Sequence, residues 1–436
     1  MKYIFIFLSI LLLLLSLYFN KYYIQKNEKT QKNKNFKINE KMQKNKNYII
    51  NQYEKIFKEF NELSIPESNN QTLLKNYYYS LISKYSTKKD LEFKNNPFIS
   101  IIIPLYKNKK EYILRSLLSI EAQTLKNIEI IYIDDYSQDE SIKLLNLLKL
   151  IDNRISLVIN NKNRGILFSK SLGVKISRGK YVIVADQDDI FLSKILFDTI
   201  YKNVEKYNLD ILQYNRVKFI EKKNKMIFFP KKKFPNYNSI IVQPILGETK
   251  NYLNNSLAFS FNLWDKIIRK NIYIKALNFI GENLYNSKII QREDHIILFA
   301  LYKVANRYMR INIDGYLYIR HPNQATHNLN RQKSSLVYDE FTFLDFVYNN
   351  TNKNKEEKNI FIREFLKILK LKVCIKVNED KIKLLVYKIC DYSLKLNLKK
   401  KKILRFCEKF KKKNEVKKRK KKNNNKKLKK NHKKNI

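Results

Sequence analysis

Three carboxylates fall within four positions, Asp186-Gln187-Asp188-Asp189, directly after the apolar run Tyr181-Val-Ile-Val-Ala185. An apolar strand that stops at a carboxylate cluster points those side chains out beyond its C-terminal end, which is where open α/β sheets bind ligands. Carboxylate oxygens are what hard divalent cations take as ligands. The bland alternative is that Asp188 or Asp189 caps a helix beginning near Phe191. A second pair, Asp134-Asp135, ends the run Ile128-Glu-Ile-Ile-Tyr-Ile133. A third, Glu293-Asp294, precedes the apolar run Ile296-Ile-Leu-Phe-Ala-Leu301, where the helix macrodipole alone favours an acidic residue.

The elements that would position these groups alternate from Phe98 onward. The pattern predicts strands over 98–104, 128–133, 155–159 and 181–185, with helices over 109–123, 138–150 and from the Asn163-Arg-Gly165 turn to about 176. Such alternation implies a parallel sheet with helices on both faces. Ser137 and Glu140 fit a capping box for the second helix. Past Phe191 the pattern is less regular, with strand candidates at 211–214, 226–229, 308–311 and 316–319 and a helix over 294–304. A polar linker at 350–359 separates these from a helical pair, 360–377 and 381–398.

Five motifs in this region occur in one order over about ninety residues: Ser100-Ile-Ile-Ile-Pro-Leu-Tyr106; Ile133-Asp-Asp-Tyr-Ser137 with Asp139 and Ser141; Asn163-Arg-Gly165; Gly173-Val174; and Arg178-Gly-Lys-Tyr181 running into the Asp-rich turn. Together they resemble the family 2 glycosyltransferases with their GT-A-type nucleotide-sugar-binding domain, and the likeness continues more thinly to about residue 330. It implies an α/β fold, a Rossmann-like, mostly parallel sheet with helices on both faces. It further implies metal-dependent, inverting transfer of a sugar from a nucleotide-diphosphate sugar to a glycan, lipid or protein acceptor, with Mn²⁺ or Mg²⁺ as cofactor.

Carried over position by position, the resemblance makes Asp188 the direct metal ligand and Asp186 its companion, contacting the ribose or orienting the site. Asp135 lies near the base, which Pro104 and Tyr106 wrap with backbone and ring, while Gly165 lets the backbone turn close beside the nucleotide. Lys170, often Arg in the family, either meets a phosphate or the base or is simply solvated. Tyr318-Ile-Arg320-His321 resembles the family's closing segment, so Arg320 or His321 reaches the diphosphate; no His or Cys stands at ligand spacing to make His321 a metal ligand. An inverting reaction also needs a general base for the acceptor hydroxyl. Arg292-Glu293-Asp294-His295, with Asp294 lying 106 residues past Asp188, supplies Asp294 as that base and Glu293 as its neighbour or an acceptor contact. Trp264, the sole tryptophan, is either a platform for an acceptor sugar or plain core. An inactive binding protein of the same fold is the alternative, and the joint presence of Asp186, Asp188 and Asp294 argues against it.

Length and charge set the frame. A chain of 436 residues suits one catalytic domain of about 230–250 residues with flanks. The net charge of +48 raises nucleic-acid binding, yet residues 397–436 alone carry 21 Lys or Arg against Glu408 and Glu415, which is +19. With no recognised nucleic-acid module, no specific nucleic-acid binding is expected. Walker-type and Gly-x-Gly-x-x-Gly loops are absent, which excludes the usual NTPase and dehydrogenase sites. Cys374, Cys390 and Cys407 lack metal-ligand spacing and read as ordinary residues on apolar helix faces, neither a zinc site nor a disulfide framework; they leave the redox compartment open.

The uncharged run from Tyr3 to Phe19, a helix of roughly 25 Å, is either an uncleaved signal-anchor or a cleaved signal peptide, and the lack of a small-x-small cleavage site favours the anchor. The expected divisions are a transmembrane helix (1–20), a stalk and helical neck (21–95), the catalytic domain (96–330), a helical extension (331–398) and a disordered Lys-rich tail (399–436). Lysines after the span point its C-terminal side to the cytosol. Sequons at Asn70, Asn254 and Asn349 suit a lumenal enzyme of the endoplasmic reticulum or Golgi in a eukaryote. Orientation stays open, leaning lumenal.

Overall fold

The computed structural model describes residues 70–92, 95–223, 225–228, 240–242, 262–322, 333–350, 380–395 and 403–410, together with Pro66, Ile362, Phe365 and Lys412. The expected anchor, the stalk, the linker after Asn350 and most of the tail lie outside these residues, as does the first helix of the expected C-terminal pair apart from Ile362 and Phe365. Among the described residues no helix is long and apolar enough to cross a membrane.

Helix α1 (Gln71–Ile82), capped by the Asn70 side chain on the N–H groups of Thr72 and Leu73, precedes the sheet. The chain then alternates β1 (Ile99–Leu105), α2 (Lys110–Glu121), β2 (Ile128–Asp134), α3 (Glu140–Lys149), β3 (Ile155–Ile159), α4 (Ile166–Ile176) and β4 (Tyr181–Val184). Every residue of β1, β2 and β4 is buried, as continuous Ile- and Val-rich runs covered on both faces should be. β5 (Ile190–Phe191), α5 (Leu196–Lys206), β6 (Ile211–Ile220), β7 (Lys225–Phe228) and β8 (Ile240–Val242) follow. Then come β9 (Lys266–Arg269), α6 (Lys270–Ile280), α7 (Glu282–Tyr285), α8 (Glu293–Val304), β10 (Arg307–Arg320), α9 (Lys333–Asn349) and α10 (Asp380–Lys395). A last helix, α11, covers 403–410.

The sheet order is β3-β2-β1-β4-β9-β6-β10-β5, with β7 on β6 and β8 on β10. The expected mostly parallel sheet is in fact mixed. β3, β2, β1 and β4 are parallel, and so are β6 and β10. β9 runs antiparallel to both β4 and β6, and β5, β7 and β8 also pair antiparallel. Hydrophobic patterning marks a strand but not its direction, and past β4 no regular strand–helix alternation fixes that direction. The two short strands expected at 308–311 and 316–319 are one strand, β10, whose register with β6 shifts between Arg310 and Tyr316.

A buried polar knot fixes β4 to its neighbours. Glu129 of β2 accepts from Ser100 Oγ at 2.5 Å, from the Gly179 N–H at 3.1 Å, from the Arg178 N–H and from Arg178 Nε at 3.1 Å. The Gly179 N–H also meets Ser100 Oγ at 2.8 Å. The Arg178-Gly179 motif is thus the hinge that feeds the chain into β4.

The C-terminal helices are joined to this core. Phe343, Phe346 and Val347 of α9 share an apolar cluster with Ile296, Phe299 and other residues of α8. Phe341, Leu344 and Tyr348 of α9 pack into a second cluster with residues of α10 and α11. There the reading of the cysteines is corrected: Cys390 and Cys407 form a disulfide, with Cα atoms 5.5 Å apart. Their separation of 17 residues carries no recognisable signature, because the pairing depends on α11 folding back along α10.

A Cβ built on Gly179 would lie 2.4 Å from Ser100 Oγ and 2.6 Å from Ser100 N, so backbone would have to move. Gly179→Ala is expected to cost about 1–3 kcal/mol, the usual penalty for overpacking, with an unchanged denaturant slope in equilibrium unfolding.

Candidate active site

The turn after β4 carries the Asp-rich motif, and each of its residues is tied down by a different element. The Asp186 N–H donates to Tyr316 Oη at 3.0 Å. The Gln187 amide clamps the end of β1, accepting from the Tyr106 N–H and donating to the Tyr106 carbonyl, both at 3.2 Å. Arg115, buried in α2, donates to the Asp188 carbonyl at 2.9 Å. Asp188 Oδ2 lies 2.6 Å from His321 Nε2, whose proton it accepts because a carboxylate offers no donor. Asp189 accepts from the Ile319 N–H at 2.8 Å. The helix-cap reading of this turn fails, because β5 follows it and α5 begins only at Leu196.

The electrostatics follow from that crowding. Burial pushes the Asp186 carboxyl up to about 7; Lys170 opposes the rise, while Asp188, Asp294 and Glu293 add to it. Asp189 is raised well above the usual carboxylate range, by burial first and then by Asp188 and Asp186. Carboxylates crowded in this way suit a cation. Among the described residues, however, no three His, Cys, Asp or Glu side chains are grouped to hold a metal ion.

At the end of β2, Asp135 accepts from Asn160 Nδ2 at 2.9 Å, from the Arg164 N–H at 2.7 Å and from the Gly165 N–H at 2.8 Å. The carboxylate expected beside a nucleotide base therefore holds the Asn163-Arg-Gly165 turn. Gly165, at φ 89°, lies against the neighbouring chain: a Cβ there would be 3.0 Å from the Ile289 carbonyl oxygen. The expected capping box is also revised. Asp139 caps α3 through the Ser141 N–H, and Ser137 instead accepts from the Lys107 N–H and donates to Asp134. Pro104 is the penultimate residue of buried β1, and the Tyr106 ring is exposed beyond it.

Lys170 is not solvated. It is 2% exposed, and its ammonium donates to Glu293 Oε1 at 2.9 Å and to Asp294 Oδ1 at 2.6 Å. Its pKa stands well above the ordinary lysine value: burial lowers it, and Asp294, Glu293 and Asp186 more than reverse that. Asp294 Oδ2 accepts from the Leu263 N–H at 3.2 Å. Glu293 is raised by burial, against the pull of Lys170. Lys170 thus brings the pair at the start of α8 together with the turn after β4.

Trp264 is 7% exposed. It stacks on Tyr316 and Tyr318 at centroid distances of 4.6 and 5.7 Å, so it packs within the sheet and supports the tyrosine that holds Asp186. Arg320 is exposed at the end of β10, whereas His321 is 2% exposed and faces Asp188. Sequence reasoning missed Gln187, Arg115 and Tyr316. Arg115 left a signal, a lone cation inside the apolar stretch Ile113–Ile120 of α2; Gln187 left none beyond its place between two aspartates.

Parallel strands ending in carboxylate turns, with an acidic helix N-terminus across the cleft, define a GT-A-type sugar-nucleotide domain. TarS of S. aureus (residues 1–349, solved with UDP-GlcNAc) shares this fold, with a TM-score of 0.51 and 16% identity over 67% of this chain and 81% of that one. Residues 100–267 match the family described as "Glycosyl transferase family 2"; the chain carries a family 2 glycosyltransferase domain. The glycosyltransferase GlyG of Streptococcus pneumoniae is 26% identical over 223 residues, 51% of this chain and 70% of its own length. EpsJ of Bacillus subtilis, an uncharacterized glycosyltransferase, is 25% identical over 309 residues, 68% of this chain and 85% of its own.

Replacing Lys170 by Met should destabilise the fold by about 3–5 kcal/mol at neutral pH, because two carboxylates lose their buried counter-charge. Without the ammonium, the folded-state Glu293 pKa rises further above its unfolded value. The folded state then binds the proton more tightly, so the loss should be smaller at pH 5 than at pH 8. Urea melts of both proteins at the two pH values measure it.

Proposed function

We propose that the protein is a metal-dependent, inverting glycosyltransferase that moves a sugar from a nucleotide-diphosphate sugar to an acceptor hydroxyl, with Asp294 as general base. One observation carries the reading. The strand-end turn with Asp186 and Asp188 and the helix-start pair Glu293 and Asp294 share the buried cation Lys170. Donor and acceptor chemistry need these two groups side by side, one for the diphosphate and one for the attacking hydroxyl.

Mg²⁺ is commonly held by one or two carboxylates plus substrate phosphates and water, so the Asp188 and Asp186 turn fits such an ion without a third protein ligand. Once bound, the ion would neutralise charge on the departing diphosphate. The protein's own residues do the rest. His321 and Arg115 hold Asp188, Gln187 keeps the end of β1 against the turn, and Asp135 keeps the 163–165 turn in place for the nucleotide. Asp294 takes the acceptor proton, with Lys170 holding its carboxylate in place through a direct hydrogen bond. Glu293 shares that lysine and sits where an acceptor contact is possible. Arg320, exposed at the end of β10, would meet the diphosphate in this reading, and the apolar run from Tyr3 to Phe19 adds a membrane tether.

The TarS likeness makes UDP-GlcNAc the first donor to try. Calorimetry with UDP should show binding that requires Mn²⁺ or Mg²⁺ and is lost in Asp188→Ala; equal binding in EDTA would overturn the metal role. In Asp294→Asn, UDP affinity should be unchanged while hydrolysis of the sugar nucleotide falls about 10²- to 10⁴-fold, the range of general acid–base catalysis. Wild-type protein that binds UDP with metal but turns over no sugar nucleotide in a screen would favour a binding protein instead.

A further inference from the structure

The segment from Asn286 to Arg292 delivers Glu293 and Asp294 to the site, and three parts of the molecule hold it. Asn286 Oδ1 accepts from Arg164 Nη2 at 2.9 Å. The Ile289 carbonyl lies against Gly165. The third part comes from α9. Asp339 Oδ2 accepts from both the Ile290 N–H, at 3.0 Å, and the Gln291 N–H, at 2.9 Å. Beside it Glu340 Oε1 accepts from Arg292 Nε at 2.7 Å. Asp339 is 1% exposed and Glu340 8%, so both acids that make these bonds are buried.

Arg292 shows why such a grip is needed. Its backbone is left-handed, φ 67°, a conformation that side-chain-bearing residues avoid unless their surroundings enforce it. It is also the residue from which α8 starts, and it lacks any side-chain cap. The Glu340 ion pair and a 2.7 Å contact from Arg292 Nη1 to His295 Nε2 fix its side chain, while Asp339 fixes the two residues before it.

We infer that helix α9 is part of the catalytic apparatus, with Asp339 and Glu340 as positioning residues that hold the 290–292 backbone and through it aim Asp294. The inference rests on Asp294 being the base. It makes the C-terminal helices a working part of the enzyme, although they lie well beyond the matched family segment at 100–267. The packing of α9 explains how the grip is kept rigid: one side of the helix is in the core cluster with α8, and the other is in the cluster that holds the Cys390–Cys407 disulfide.

The test uses the full chain, with UDP-GlcNAc hydrolysis for turnover and UDP with Mn²⁺ for donor affinity. Asp339→Ala removes the acceptor of both N–H groups; kcat should fall about 10- to 100-fold with UDP affinity within about twofold. Asp339→Asn keeps one oxygen at that position and should recover most of the loss, which a role in fold stability through charge would not predict. The double variant Asp339→Ala/Asp294→Asn should be no slower than Asp294→Asn alone, since Asp339 acts only through Asp294. If Asp339→Ala does not fold, Glu340→Gln carries the test, with a smaller fall of about 3- to 10-fold in kcat. Wild-type turnover in the folded variants, an equal fall in UDP affinity, or a full additive loss in the double variant would overturn the inference. Wild-type turnover in Asp294→Asn would instead overturn the reading of the base, whatever Asp339→Ala does.

Discussion

The buried ammonium of Lys170 is the interaction on which the rest of the site depends. A charge taken out of water at that depth is tolerated only when paired and hydrogen-bonded, and here its partners are Glu293 and Asp294, from a helix more than a hundred residues further along the chain. Those carboxylates are themselves only 13% and 15% exposed and repel Asp186, so each group needs the others' arrangement. α4 packs on the central strands, with Gly173 against Ile102 and Ile133, which puts Lys170 at a fixed height behind the turn after β4. One cation therefore sets the distance between the two halves of the cleft. Asp188 has other partners, Arg115 on its carbonyl and His321 on its carboxylate.

Much of the fold was legible because its first half obeys local rules. The runs at 98–104, 128–133 and 155–159 became β1, β2 and β3 within a residue or so, and the helices between them fell close to their expected spans. Burial from both faces requires continuous Ile and Val runs, and a sequence displays these openly. What stayed hidden depends on contacts distant in sequence. Nothing local says that β9 reverses direction, that β10 is one strand, that Cys407 returns to Cys390, or that Lys170 points at Asp294 rather than at solvent. In a chain with 88 Lys and Arg, one buried lysine cannot be told from the solvated ones by composition. The same holds for Asp339, which looks like any acid on a helix until its two N–H partners are known.

The motifs that carried the resemblance divide in an instructive way. Several are internal scaffolding: Asp135 for the 163–165 turn, Gly179 with Ser100 for the entry to β4, Ser137 for the loop after β1. A residue type is demanded at such a position because a backbone N–H must be satisfied or two chains must approach, and a ligand need not be involved. Sequence order alone could not separate these from the groups left facing the cleft. In the structure the Asp135 carboxylate accepts three hydrogen bonds, whereas that of Asp188 accepts one from a histidine whose other nitrogen is buried without a partner among the described residues.

Backbone conformation points to the same region. Among the described residues, Lys107, Tyr136, Gln138 and Arg292 hold left-handed conformations without being glycine, and all four lie just beyond β1, just beyond β2 or just before α8. Each such residue costs on the order of 1–3 kcal/mol and persists only where its surroundings over-determine it. The surroundings are visible here: Ser137 Oγ on the Lys107 N–H, and Glu340 and His295 on the Arg292 side chain. Asn208, the fifth, lies just past the end of α5, where Asn adopts this conformation readily. The difference is telling. A helix end can choose an asparagine, but the loops around the cleft retain lysine, tyrosine, glutamine and arginine in the same backbone state, and at Lys107 and Arg292 part-buried hydrogen bonds hold it. A loop held in that way keeps its shape when the ligand arrives, so less ordering is left to be done at the moment of binding or reaction.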